Sequence, residues 1–437
     1  MNYTELLKNI KGLVDNPNTS LEQVLKIDCL SFFFNQGMPS LIQFLISKSD
    51  EMLDISLNSP DRMLRTRAYD IVCGDNSDLL ISMISRKVIT KFAEKYMFDD
   101  GTDHSIIDRL IGIFERCFIV DYTQSSDQFY FITELVRFLD DQDVIGFFID
   151  CADHPMYGKK FIQWLNDLEF DERLIDTVQN EYSKEQNNPE FLYGLYSLID
   201  KYAQHEEVLP RFLTPSKLSL IIQPCKHEMP EFVKISHAQM ILDLCNEVSV
   251  PFVSDVINHL TKIVFEQTDI NFDLESDDNR AEIEKNLNNI GKITELFLLS
   301  YQILIKIFTL SKDKKAFPLS ILLDFTFHIL NQYQSHSFAL IVASNFIIHY
   351  SQLSPELRNE VISKFIPFAK QNLETNTNLN IIAFIYKIMV ELENKVDWSG
   401  IDKEEFDEIY AKYITPKKAI VDAEYGGKAP PPAEIVI

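Results

Sequence analysis

Apolar residues recur at three- and four-residue spacing along almost the whole chain, and short joints rich in Asn, Asp, Pro and Ser separate these stretches. That periodicity belongs to amphipathic helices, and no alternating run is long enough to build a sheet. The ends of the stretches carry helix punctuation. In "SPELRNEVISKFIPFAKQNL", Ser354 is placed to cap a helix and Pro355 to open it. "SPDRMLRTRAYDIVCG" reads the same way, with Ser59 as N-cap, Pro60 at the first helical position and Gly74 as the stop. "TSLEQVLKIDCLSFFF" opens with a capping box from Thr19 to Glu22 and sets Leu21, Val24, Leu25 and Ile27 on one side.

Helices of roughly 10–18 residues, joined in antiparallel pairs with no strand between them, predict an all-α fold. The expected architecture is an α-solenoid of degenerate HEAT/armadillo-like helical repeats, since no strict period of roughly 34 or 42 residues emerges. One helical-repeat domain is expected over 1–414, with an exposed acidic loop near 266–284, where eight acids face one arginine. The last stretch, 415–437, has four prolines and two glycines and reads as a disordered tail.

Composition closes off several function classes. Only 12 glycines occur in 437 residues, and neither a G-x-G-x-x-G nor a G-x-x-x-x-G-K-[ST] is present. Phosphate-cradling loops need such glycines, so a nucleotide-binding α/β fold is not expected. A formal charge of −25 disfavours nucleic acid and anionic membrane and suits docking to basic surfaces. The six cysteines, at 29, 73, 117, 151, 225 and 245, form no C-x-x-C and are expected to be reduced. The amino-terminal stretch lacks a signal-type apolar run. The most apolar segment, 296–308, is broken by Lys306, which points to a soluble protein of the cytoplasm or nucleus.

The chain offers little chemistry. His227 and Glu228 are followed by Met229 and Pro230, so the H-E-x-x-H zinc pattern is absent, and His237 falls out of register. "FDDGTDH" (98–104) has cation-attracting groups without EF-hand spacing and reads as a solvated loop. No G-x-S-x-G elbow occurs. The chain is expected not to be an enzyme and to need no metal or cofactor.

"FIQWLNDLEFDERLIDTV" (161–178) reads as two helices meeting at a four- or five-residue turn. Phe161, Trp164, Leu165 and Leu168 share one face, and Leu174, Ile175 and Val178 form the matching one. Trp164 is expected between the two arms, as core rather than as a docking side chain.

The same stretch carries the most specific family likeness. Trp164, Leu165, Asn166, Phe170, Arg173, Leu174 and Ile175 match a V-[IV]-x-W-L-N-x-x-x-L-x-x-R-L-I pattern. Nearer the start, "SLEQVLKID" (20–28), "LIQFL" (41–45) and "AYDIV" (68–72) match further steps. Together these resemble the SAPS family, the phosphatase-associated regulatory subunits of type-6 serine/threonine protein phosphatase. Segments 318–342 and 380–393, with Trp398, extend the likeness in outline. Arg65 stands where that family has proline, and Ser335, His336 and Ser337 replace its Asn and His.

The resemblance implies a non-catalytic scaffold that binds a type-6-like catalytic subunit, directs it to substrates and recruits further scaffold proteins. Arg62, Arg65 and Arg67, a basic cluster in an acidic chain, are candidates to meet acidic residues of that subunit. Their alternative reading is a solvated helix face. Asn166 and Arg173 are further candidates, with Arg173 expected to pair locally with Asp167 or Asp171. The competing functional classes are an unrelated helical-repeat adaptor in trafficking or transport and an all-α enzyme whose site is assembled from distant residues.

Overall fold

A computed structural model describes residues 3–99, 101–223, 229–245, 294–310, 319–399 and 401–417. The acidic stretch 266–284, His227, Glu228 and most of the expected tail, from 418 on, lie outside the described residues. Among those described there is no strand, and helices pack on helices as an all-α repeat array. They fall into two compact units, the first covering 1–221 and 225–244 and the second 222–224 and 245–437.

The first unit opens with α1 (Tyr3–Val14), α2 (Leu21–Leu25) and α3 (Leu30–Asn35). Three-helix repeats follow. The first contains α4 (Pro39–Ser47), α5 (Ser49–Asn58) and α6 (Arg62–Val72); the next α7 (Asp78–Ser85), α8 (Val88–Met97) and α9 (His104–Val120). The third contains α10 (Tyr122–Gln128), a 3₁₀ segment (Tyr130–Phe138) and α11 (Gln142–Asp153). The fourth contains α12 (Gly158–Asp167), α13 (Phe170–Ser183) and α14 (Pro189–Ala203). Then come α15 (Leu209–Phe212), α16 (Pro215–Ile221) and α17 (Glu231–Leu244). Corresponding helices lie side by side: α5 on α8, α9 on α11, α11 on α14 and α14 on α17. Triplets, not the expected pairs, are therefore the repeating element here, the armadillo pattern.

Side-chain contacts between successive repeats reveal a period hidden in the sequence. Arg67 donates to the carbonyl of Leu25, Arg86 to that of Ile46, Arg116 to that of Gly74 and Arg137 to that of Met97, at 2.8–3.1 Å. These pairs are 40 or 42 residues apart. Each acceptor lies at or just past a helix C-terminus, where the last carbonyls have no partner within the helix. A guanidinium there satisfies a carbonyl and complements the negative end of the helix dipole.

The second unit contains α18 (Glu295–Leu310), α19 (Leu319–Gln332), α20 (Ser337–Tyr350), α21 (Pro355–Thr375) and α22 (Leu379–Lys395). It closes with α23 (Glu404–Ile409) and a π-helical turn (Tyr410–Ile414). Here pairing holds: α19 packs on α20 and α21 on α22, while α18, α20 and α22 stand in a row. Asn376 donates to Gln334 and Lys387 to Asn345, each across 42 residues. Pro355 opens α21 behind Ser354, whose hydroxyl accepts from the Leu357 amide, as the sequence predicts.

Several local expectations need correction. The capping box is one residue later than predicted, with Ser20 accepting from the Gln23 amide and Gln23 from the Ser20 amide. Thr19 is buried instead. The stretch "TSLEQVLKIDCLSFFF" (19–34) forms two short helices, α2 and α3, with Cys29 at a left-handed φ of 61° just before the second. Asp61, not Ser59, caps α6, because its carboxylate reaches the amides of both Met63 and Leu64. Arg62 rather than Pro60 opens that helix.

Candidate protein-docking surface

Arg62, Arg65 and Arg67 share α6 but not a common role. Arg62 is exposed, with no hydrogen bond or ion pair among the described residues. Arg65 donates to the Ser59 carbonyl at 2.9 Å and closes its own helix entrance. Arg67 reaches back to α2, binding the carbonyls of Leu25 and Ile27 and the Asp28 carboxylate at 3.2 Å. One of the three is thus free on the surface, and Arg67 is part of the inter-repeat seam.

Asn166 and Arg173 are likewise tied into the fold. The Asn166 side chain is buried and accepts from the Tyr202 hydroxyl at 3.1 Å. Arg173 does not pair with Asp167 or Asp171, as the sequence suggested. It reaches Glu134 of the preceding repeat at 2.8 Å, because α13 packs against the 3₁₀ segment. Asp171 is committed elsewhere: it is 1% exposed and holds both Arg211, at 2.7 Å, and Lys217. These cations outweigh the effect of burial and keep its carboxyl below the ordinary aspartate range.

The helical corner is tighter than expected. Only Leu168 and Glu169 separate α12 from α13, and Glu169 takes φ 54° to make the turn. Phe161, Leu165, Leu174, Ile175 and Val178 are all buried. Trp164 is only partly buried and packs against the core. Its ring meets Phe118 of α9, 5.4 Å between centroids, and Phe161 of its own helix, at 5.7 Å.

Sequence reasoning missed two carboxyl clusters, because each is assembled from helices of different repeats. Asp108 of α9 meets Asp141 and Asp143 at the start of α11, with ligand atoms of all three within 4.8 Å. His104 faces Asp141 at 3.4 Å. Burial and the hydrogen bond to Asp141 push the Asp108 carboxyl up to about 6. In the loop before them, Asp99 and Asp103 spend their carboxylates on the amides of Gly101 and Ser105; Asp100 lies outside the described residues. On α14, buried Asp200 faces Asp243 of α17, and burial followed by that contact raises it to about 7. His237 is buried too, donating from Nε2 to the Ile221 carbonyl at 2.9 Å, and burial lowers it to about 4. That hydrogen bond and its burial give it a structural place in the core.

Cys29, Cys73, Cys117 and Cys151 are free thiols. Cys117 and Cys151 are buried in the first unit, and burial raises both. Cys225 lies outside the described residues. No helix among the described residues is long and apolar enough to cross a membrane. No family model matches the chain, and no curated protein matches it.

Proposed function

We propose that this chain is a non-catalytic helical-repeat scaffold that works by holding other proteins. The observation that carries the reading is the repeat stack itself. Successive helices stand side by side and leave continuous lines of side chains, a surface suited to extended partners. The strong negative charge favours partners that present basic surface.

The specific form proposed is a regulatory subunit that binds a type-6-like serine/threonine phosphatase catalytic subunit and directs it to substrates. It rests on the SAPS-like motifs alone. Those motif residues build the stack: Leu165, Phe170 and Leu174 are buried, Asn166 ties α12 to α14 within one repeat, and Arg173 bridges to the repeat before. The likeness therefore supports a repeat scaffold more directly than a particular partner, and an unrelated adaptor is the second reading. Affinity purification of the tagged full chain, followed by quantitative mass spectrometry, separates them. Enrichment of a type-6-like catalytic subunit over an unrelated helical-repeat control is expected. Recovery of other partners without any phosphatase would leave the adaptor reading.

A further inference from the structure

α20 and α22 run side by side in register, tied by Asn378 to Ser335 at 3.4 Å near one end and by Lys387 to Asn345 at 3.2 Å further along. Between and beside these ties lies an apolar stripe open to solvent. Phe338 is 69% exposed, Leu379 78% and Ile341 38%, and Ala383 is exposed beside them. Scattered exposed apolar residues need no explanation, but large ones grouped across two adjacent helices mark a docking surface.

The charge pattern says what fits there. The chain has 66 acidic residues, yet α20 has none, and neither do residues 379–390 of α22. The one charge within the stripe is Lys387. The first carboxylate beyond it, Glu391, is paired with Lys395 at 2.7 Å. In a protein this acidic, such a face is locally neutral to positive. At physiological salt the rest of the negative field is screened within about 8 Å, so the local face sets the sign of what docks.

We propose that the α20–α22 face binds an acidic amphipathic segment of a partner protein, with large apolar side chains seated on Phe338, Ile341 and Leu379 and a carboxylate meeting Lys387. This deepens the scaffold reading by giving the chemistry of one partner, and it does not depend on that partner being a phosphatase.

The test uses the full chain and a fluorescein-labelled amphipathic peptide with Leu and Phe on one face and Glu on the other. Its twin has Lys in place of every Glu. Fluorescence anisotropy at physiological salt should show the Glu peptide binding at least about tenfold tighter than the twin. Phe338→Ser combined with Leu379→Ser should weaken binding at least about tenfold. Lys387→Glu alone should weaken it about three- to fivefold and narrow the preference between the twins. Equal binding of both peptides, no binding of either, or unchanged binding by the variants overturns the proposal. So does self-association in sedimentation velocity that the double variant abolishes, since a second copy would then be the occupant. Phosphatase capture is measured on wild type and the same variants: peptide results that overturn the proposal while capture is retained mark failure of this proposal alone, whereas the expected peptide results with no capture mark failure of the phosphatase reading alone.

Discussion

Nη1 of Arg67 donates to the carbonyl of Leu25 at 2.9 Å, across 42 residues, from the last helix of one repeat to the end of a helix in the segment before it. Arg86, Arg116 and Arg137 make the same kind of contact further along. An arginine that closes the C-terminus of an earlier helix fixes the spacing of the two repeats as well as satisfying a carbonyl. Its removal should loosen the seam. Arg67→Ala is expected to cost about 1.5–3 kcal/mol, the range for hydrogen bonds to a charged group, and to lower Tm. Arg62→Ala on the same helix should leave Tm within experimental error. Chemical denaturation of the two variants checks the contrast, and equal stabilities would remove Arg67 from the seam.

Asp171 anchors a second seam, joining α13 to Arg211 in α15 and Lys217 in α16. Asp171→Asn removes the negative partner and leaves Lys217 largely buried beside Glu172 alone. Breaking a buried pair in this way should cost about 3–5 kcal/mol. The pH dependence has a definite sign. The folded carboxyl lies below its unfolded value, so its contribution is present above the unfolded pKa and is lost as pH falls through the folded one. Acid melts of wild type and Asp171→Asn should converge at low pH. Parallel curves would show that the carboxylate is not the source of the stability.

Asp200 works in the opposite direction. Its folded pKa is raised from 3.8 to about 7, so the folded state holds a proton that the unfolded chain has released. Stability from this group is full at low pH, declines from about pH 4 to about pH 7 and is flat above that. Asp200→Asn imitates the protonated form. It should raise Tm at pH 8 and change it little at pH 4. A variant less stable than wild type at pH 8 would mean that the charged carboxylate has a favourable partner.

How much of this was legible in the sequence follows from the distances over which each feature acts. Ser354 capping α21 is an interaction across three residues, and the local pattern was sufficient to find it. Ser20 with Gln23 was displaced to Thr19 and Glu22 because both readings satisfy the same short motif, and only packing decides which residue turns inward. The 40-residue period escaped detection because it resides in side-chain-to-carbonyl contacts. A carbonyl has no residue identity, so Arg67, Arg86 and Arg137 can be equivalent while their acceptors, Leu25, Ile46 and Met97, share no sequence. Arginines recurring about 40 residues after helix ends were the available signal. The Asp200–Asp243 pair had none, since each looks like any other acid in a strongly acidic chain.

Trp164 joins the hairpin corner to α9, the last helix of the second repeat. Its ring lies against Phe118 of α9 and against Phe161, which is fully buried. The partial exposure of Trp164 separates the energetic expectations for the two residues of α12. Phe161→Ala empties a closed site and should cost about 3–5 kcal/mol, as for other buried aromatics. Trp164→Ala removes a ring with one side already in water, so its cost should be smaller, about 2–3 kcal/mol, combining partial burial with the loss of two aromatic contacts. If Trp164 serves packing alone, partner capture by Trp164→Ala should recover fully at a temperature well below its lowered Tm. If the exposed side of the ring also docks a partner, capture stays lost in the folded variant while Trp164→Phe, which keeps an aromatic contact, restores Tm more than binding. Melting and capture measured together on Trp164→Ala, Trp164→Phe and Phe161→Ala distinguish the two, and a Trp164→Ala protein as stable as wild type would refute the packing role.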